Sequence, residues 1–119
     1  MKTQEVLDLL ENENDVAEFY VLVREIKVYL DVGHDQYHPR LGVKIYKTIL
    51  HGSELYHFDT SHHAHGPEQI GPYYPSRTTE ETERAAIDRA ISSVASYIQS
   101  AIAAGHEPSD KWLVPNDDF

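Results

Sequence analysis

The sequence predicts an α+β domain, residues 1–119, in which an antiparallel sheet of three or four strands packs one face against a long C-terminal helix, with a short N-terminal helix at an edge. Three observations carry this. The middle of the chain alternates apolar and polar residues with a period of two, the connections between those runs are short, and the last third carries an apolar stripe at helical spacing.

At the N-terminus, Thr3 is placed to cap a short helix with Val6, Leu9 and Leu10 on one side, before the polar run Glu11 to Asp15 breaks the pattern. From Val16 to Val32 the chain is dense in β-branched and aromatic residues, with Ile26, Val28, Leu30 and Val32 alternating with Lys27, Tyr29 and Asp31. This reads as a strand bent or broken near Arg24; a helix using Val16, Phe19, Val23, Ile26 and Leu30 is the alternative. Gly33 to Pro39 is a polar loop, and RLGVKIYKTIL, Arg40 to Leu50, is a second strand with Leu41, Val43 and Ile45 on one side. His51 to Glu54 forms a tight turn into a third strand, LYHFDT, so the three strands form a meander. The final long element is a helix of about 26 residues, starting from a cap at Thr78 with Glu81 three residues on, and stopping at Gly105 and Pro108. Its stripe of Ala86, Ile87, Ala90, Ile91, Val94, Ile98 and Ile102 needs a cover, which the sheet provides.

Composition narrows the function classes. With no cysteine there is neither a disulfide framework, nor a thiolate ligand, nor a cysteine nucleophile. No segment approaches the roughly 18 apolar residues of a membrane span and the N-terminus has no apolar signal core, so a soluble cytoplasmic protein without membrane contact is expected. Ten basic and twenty acidic side chains give a net charge of −10, which repels nucleic acid at long range. The distribution is uneven: Arg24, Lys27, Arg40, Lys44 and Lys47 make the central region mildly basic.

Candidate chemistry concentrates in HFDTSHHAHG, His57 to Gly66, which holds four of the eight histidines. In the third strand Tyr56 and Phe58 share one face while His57 and Asp59 share the other. If the aromatic pair lies under the helix, the opposite face carries Lys27, Tyr29, Lys44, Tyr46, His57 and Asp59. Such a face is either an ordinary solvated side of an antiparallel sheet or a binding surface. A carboxylate can orient an imidazole for proton transfer near neutral pH, so His57 with Asp59 has acid-base content, and His62, His63 and His65 can return over it from the exit loop. A phenol from Tyr46 or Tyr29 and the Lys44 ammonium suit a phosphate. The loop from Ser61 to Pro75 is expected to lack structure of its own. Elsewhere, His34 and His38 fall in a loop, His51 at a turn and His106 at a helix end. Trp112 either folds back over the open end of the core or anchors an interface.

An aromatic-Asp pair ending a strand (Phe58, Asp59), a His-x-His loop (His63, His65) and a Pro-aromatic segment (Pro72, Tyr73) leading to a terminal amphipathic helix resemble the TumE-like toxins of bacterial toxin-antitoxin pairs. The similarity covers about Leu55 to Ser76, and Thr60 stands where that family often has Asn. The resemblance implies a small toxin that acts on RNA and is neutralised by a DNA-binding antitoxin. On this reading the protein is a metal-independent ribonuclease with no cofactor. His57 or His65 acts as general acid or base with His63 beside them, Asp59 orients an imidazole, and Lys44, Tyr46 and Tyr29 contact substrate. Self-association as a homodimer is compatible with it. The rival classes are a non-enzymatic acidic module that binds or inhibits another protein, and a small metal-binding protein.

The histidine loop separates the last class from the others. His63-Ala64-His65 lacks the longer ligand spacing of established zinc motifs, so purified protein is expected to carry no stoichiometric metal. Elemental analysis checks this, and one equivalent of metal lost on His63→Ala would instead identify a metal centre.

Overall fold

A computed structural model describes residues Met1–Phe119. Helix α1 (Thr3–Glu11) is followed by strands β1 (Val21–Tyr29), β2 (Arg40–Leu50), β3 (Ser53–Thr60), β4 (His62–Ala64) and β5 (Thr79–Glu80). Helix α2 (Glu83–Ala103), a 3-10 turn (Asp110–Trp112) and β6 (Leu113–Pro115) complete the chain. The main sheet has the order β1-β2-β3-β5 and is antiparallel throughout, and β4 pairs with β6 in a separate two-stranded ribbon.

Period-two patterning places the strands. In β2, Leu41, Val43 and Ile45 are fully buried, while Gly42, Lys44 and Tyr46 project to the other side. The bend expected near Arg24 is a break in register between Leu22 and Arg24, which leaves Val23 as the extra residue of a bulge. The helical alternative for this segment does not form, because its β-branched residues pair with β2 instead. The connection from β2 to β3 is the dipeptide His51-Gly52, both with positive φ (52° and 80°), a geometry that matches the twist of the flanking strands.

Helix α2 packs on the face opposite Lys44 and Tyr46. Ala86, Ala90, Val94, Ile98 and Ala101 are buried with Leu41, Val43, Ile45 and Phe58, and Ile87, Ile91 and Ile102 flank that contact half-buried. Alanine at four of the seven buried helix positions lets the helix axis approach the sheet closely. The helix ends as its sequence foretells. Gly105 adopts φ 90°, its N–H donates to Ile102 O and the His106 N–H donates to Ala101 O, the paired bonds of a Schellman cap.

Its start differs from expectation. Thr82, not Thr78, is the N-cap and accepts from the Ala85 N–H at 3.1 Å, so the helix has 21 residues. The displaced residues have joined the sheet: Thr79 and Glu80 pair with His57 and Tyr56. Glu80, only 8% exposed, takes the guanidinium of Arg77 on one oxygen and that of Arg89 on the other. The exit loop also differs from expectation, because part of it is strand. His62 to Ala64 form β4 against Leu113 to Pro115, and beyond them Gln69 ties the chain down by accepting from the Gly66 N–H and donating to Ala64 O. Trp112 folds back as the lid of the core and is 7% exposed.

The molecule is elongated, 53 × 26 × 22 Å. Helix α1 lies beside the far end of the β2-β3 hairpin, where Gln4 Nε2 donates to Glu54 Oε1 and Leu7 is fully buried outside the main core. No helix is long and apolar enough to cross a membrane.

Ile98 is fully buried at the centre of the helix-sheet contact. Truncation to Ala is expected to cost about 2–5 kcal/mol, a large part of a small domain's stability. Denaturant unfolding checks this; an unchanged midpoint would refute the packing described.

Candidate functional site

The face of the sheet turned away from α2 brings together side chains from four segments. Strand pairing sets Tyr46 opposite His57 and Lys44 opposite Asp59. Within β3, two residues apart on one face, His57 and Asp59 touch: Nε2 and Oδ1 are 3.0 Å apart. The other ring nitrogen is also engaged, since His57 Nδ1 lies 3.0 Å from Thr78 Oγ1. In a neutral imidazole one nitrogen donates and one accepts. With a neutral ring facing a carboxylate, Nε2–H donates to Asp59 and Nδ1 accepts from the Thr78 hydroxyl. The result is a hydroxyl-imidazole-carboxylate chain, Thr78–His57–Asp59, in which each member fixes the orientation of the next.

Aromatic rings wall this chain. Tyr20, from the segment before β1, and Tyr46 stand with ring centroids 5.1 and 5.9 Å from that of His57. The same segment is fastened down next door, where the buried Thr48 hydroxyl donates to Phe19 O at 2.6 Å. Burial raises the Tyr46 phenol above its ordinary value of 10.0, and the charges of Asp59 and Glu25 raise it further. Tyr46 therefore stays protonated near neutral pH, with a hydroxyl that can donate. Tyr20 is also raised, first by its hydrogen bond to Glu18.

The remaining sequence candidates are dispersed around this centre. Lys44 is adjacent, and its Nζ lies over the ring of Phe119 at 4.3 Å from the centroid. His63 stacks near Tyr74, with 4.6 Å between centroids. Burial lowers its pKa below 6.5, while the Tyr73 backbone and the Asp59 charge partly oppose this, so His63 is a neutral imidazole at pH 7. His65 is fixed through its backbone, whose N–H donates to Trp112 O at 2.7 Å; the hydrogen bonds of the His57–Asp59 pair run to Thr78 instead. Tyr29 pairs with Arg40 whereas Tyr46 pairs with Leu22, so the two phenols stand at opposite ends of the face, roughly 20 Å apart at the usual strand rise. No three His, Asp or Glu side chains stand together as a metal-ligand set.

No sequence pattern assigns Thr78, Tyr20 or Phe119 to this face. Thr78, with Glu81 three residues on, has the spacing of a helix cap. The adjacent β-branched pair Thr78-Thr79 was the available hint of a short strand. Tyr20 and Phe119 carry no local signal, because their positions depend on chain segments far from His57 in sequence.

Protonation of the neighbouring histidines makes stability depend on pH in a defined window. His62 and His63 both titrate below 6.5, each chiefly because burial disfavours the charged ring. Between that depressed value and 6.5 the unfolded chain binds more protons than the folded one. Stability from these groups is thus complete above pH 6.5 and is lost as pH falls through their folded values. Glu80 and Glu54 are held below 4.5 by their partners, so their stabilising effect fades only in more acidic solution. The melting temperature should therefore decline from pH 6.5 toward 4.5, and His63→Gln should flatten that decline. An equal slope in wild type and variant would remove His63 from the effect.

The chain matches no protein-family model, no curated protein and no solved structure. What this face offers to chemistry is carried by its own groups: a hydroxyl backed by an imidazole and a carboxylate, a protonated phenol, and an ammonium.

Proposed function

We propose that the protein is a small TumE-like toxin that cleaves RNA without a metal, at the open face of the sheet. The observation that carries this reading is the Thr78–His57–Asp59 chain beside Tyr46 and Lys44. RNA supplies its own nucleophile, so the protein has only to move protons and stabilise charge on phosphorus.

In the proposed step the ribose 2′-oxygen bonds to the adjacent phosphorus and the bond from phosphorus to the 5′-oxygen breaks. The 2′-hydroxyl proton passes to Thr78 Oγ1 as the Thr78 proton moves to His57 Nδ1. Asp59 remains ionised and stabilises the imidazolium, as the carboxylate of a hydrolase triad does. The departing 5′-oxygen takes the proton of Tyr46, and the phenol recovers one from solvent as the imidazolium releases its own. Lys44 neutralises charge on the phosphate oxygens. The products are a 2′,3′-cyclic phosphate and a free 5′-hydroxyl. A DNA-binding antitoxin that covers this face belongs to the same reading.

A second reading has an observation of its own. Both ring nitrogens of His57 are already engaged within the fold, and an imidazole held in this way also suits a purely structural role in a protein-binding surface. This is the non-enzymatic alternative, and the net charge of −10 suits it.

Expression without a partner is expected to slow growth, and His57→Ala, Asp59→Ala and Thr78→Val to relieve the effect. Purified variants should lose about 10²- to 10⁴-fold in cleavage rate, with Thr78→Ser retaining activity. The measurement is the appearance of cyclic-phosphate ends on a short RNA. Intact RNA across about pH 5 to 8, the range in which an imidazole titrates, together with variants that alter melting but not growth, would establish the binding module instead.

A further inference from the structure

The cationic side chains of this acidic protein are unevenly committed. Arg24, Lys47, Arg77, Arg84 and Arg89 stand in ion pairs with carboxylates, whereas Lys27, Arg40 and Lys44 do not. These three stand along one stretch of the open face, and two of them, Lys27 and Arg40, line the same cavity. Lys27 of β1 lies opposite Gly42 of β2, and Arg40 and Lys44 stand two residues to either side of that glycine on the same face.

Gly42 makes the spot concave. Its N–H donates to Ser61 Oγ at 2.8 Å and its carbonyl accepts from the Ser61 N–H at 2.9 Å. A Cβ at this position would meet the Phe119 ring at 3.1 Å and Ser61 Cβ at 3.2 Å, so any side chain here would push the ring or Ser61 aside by a few tenths of an ångström. The resulting cavity of about 510 Å³ is lined by Lys27, Arg40, Gly42, Ser61, His62 and Phe119, with Glu25 as the one acid in its wall. The Ser61 hydroxyl, which accepts from Gly42, can donate its own proton to His62 Nδ1, 2.8 Å away, and in that tautomer the neutral ring presents its Nε2–H as a further donor. Burial and the charge of Arg40 keep that ring neutral at pH 7.

We propose that this cavity holds a backbone phosphate of single-stranded nucleic acid on Lys27, Arg40 and His62, with the neighbouring base stacked on Phe119. Cationic and N–H donors around a glycine suit a phosphate, and the half-buried Phe119 ring beside them, with Lys44 over it, leaves its open edge to a base. Gly42 lies four residues along β2 from Tyr46, roughly 13 Å at the usual strand rise, so a short strand reaches both the cavity and the Thr78–His57–Asp59 chain. That the strand is RNA rests on the ribonuclease reading; the binding itself does not.

The test uses a fluorescent hexadeoxythymidylate, which lacks the 2′-hydroxyl and cannot be cleaved by the proposed route, with anisotropy read over a salt series. Wild type is expected to bind in the range of about 10⁻⁴ to 10⁻⁶ M, and Lys27→Ala and Arg40→Ala each to weaken binding and lower the salt slope by about 0.7. Phe119→Ala should weaken binding about 5-fold or more. Lys111→Ala, an exposed cation on the 3-10 turn, should bind as wild type does. Inorganic pyrophosphate, which offers nothing to Phe119, should compete only at much higher concentration. Absence of binding by wild type, or equal binding by the Lys27→Ala/Arg40→Ala and Phe119→Ala variants, overturns the proposal, and pyrophosphate competing as well as the oligonucleotide overturns the nucleic-acid assignment. The two readings fail separately. A protein that binds the oligonucleotide through these residues but leaves RNA intact is no ribonuclease, whereas a ribonuclease indifferent to Lys27 and Arg40 lacks this subsite.

Discussion

Burying Leu41, Val43 and Ile45 against α2 fixes where Gly42, Lys44 and Tyr46 stand, because successive residues of a strand project to opposite faces. β2 lies between β1 and β3, so its register also sets theirs: Lys27 is brought to Gly42, Asp59 to Lys44 and His57 to Tyr46. A slip of one residue would put lysine and tyrosine under the helix and leave three fully buried aliphatic side chains in water. Full burial of each such side chain is worth about 1.5–3 kcal/mol, so the register is held by far more than any contact on the open face. The polar face is thus organised by the apolar one.

The edge of the sheet next to β3 is held differently, by charge. Glu80 is nearly inaccessible and bonded on both oxygens, one to Arg77 and one to Arg89 of α2. A buried carboxylate is tolerated only when so paired, and removal of one partner leaves a costly uncompensated charge. The same arrangement draws Thr79 and Glu80 onto β3 and sets Thr78 against His57. A structural ion pair at the helix entrance thereby determines which hydroxyl the imidazole meets.

Electrostatics on the open face are local. The chain as a whole is strongly acidic, yet its central strands carry three cations without carboxylate partners, and the phenol and imidazoles around them are kept neutral by burial. The proposed phosphate site relies on neutral donors and a few cations, because the protein's long-range field slows the approach of an anion. Such a surface favours weak, salt-sensitive binding over fast electrostatic capture.

Much of this fold was legible in the sequence because its signals are local. Period two in Leu41, Val43 and Ile45, the short turn at His51-Gly52, and the glycine stop after α2 depend on residues within a few positions of one another. The His57–Asp59 contact was legible for the same reason, since residues two apart on a strand share a face. The helix start was not. Thr78 and Thr82 both have the chemistry of a cap, and the choice fell to Glu80, whose partner Arg89 lies nine residues on in the helix itself. Strand β4 was hidden because a three-residue strand has no periodicity, and its pairing residues lie some fifty positions away at Leu113 to Pro115. Thr78 on the imidazole, Tyr20 beside it and Phe119 over Gly42 likewise depend on contacts between remote segments. The sequence by itself determined which faces are apolar and which side chains share a strand; only the tertiary structure decided which distant groups meet on the open face, because those contacts follow from how the hairpin, the helix and the tail are packed together rather than from any local preference.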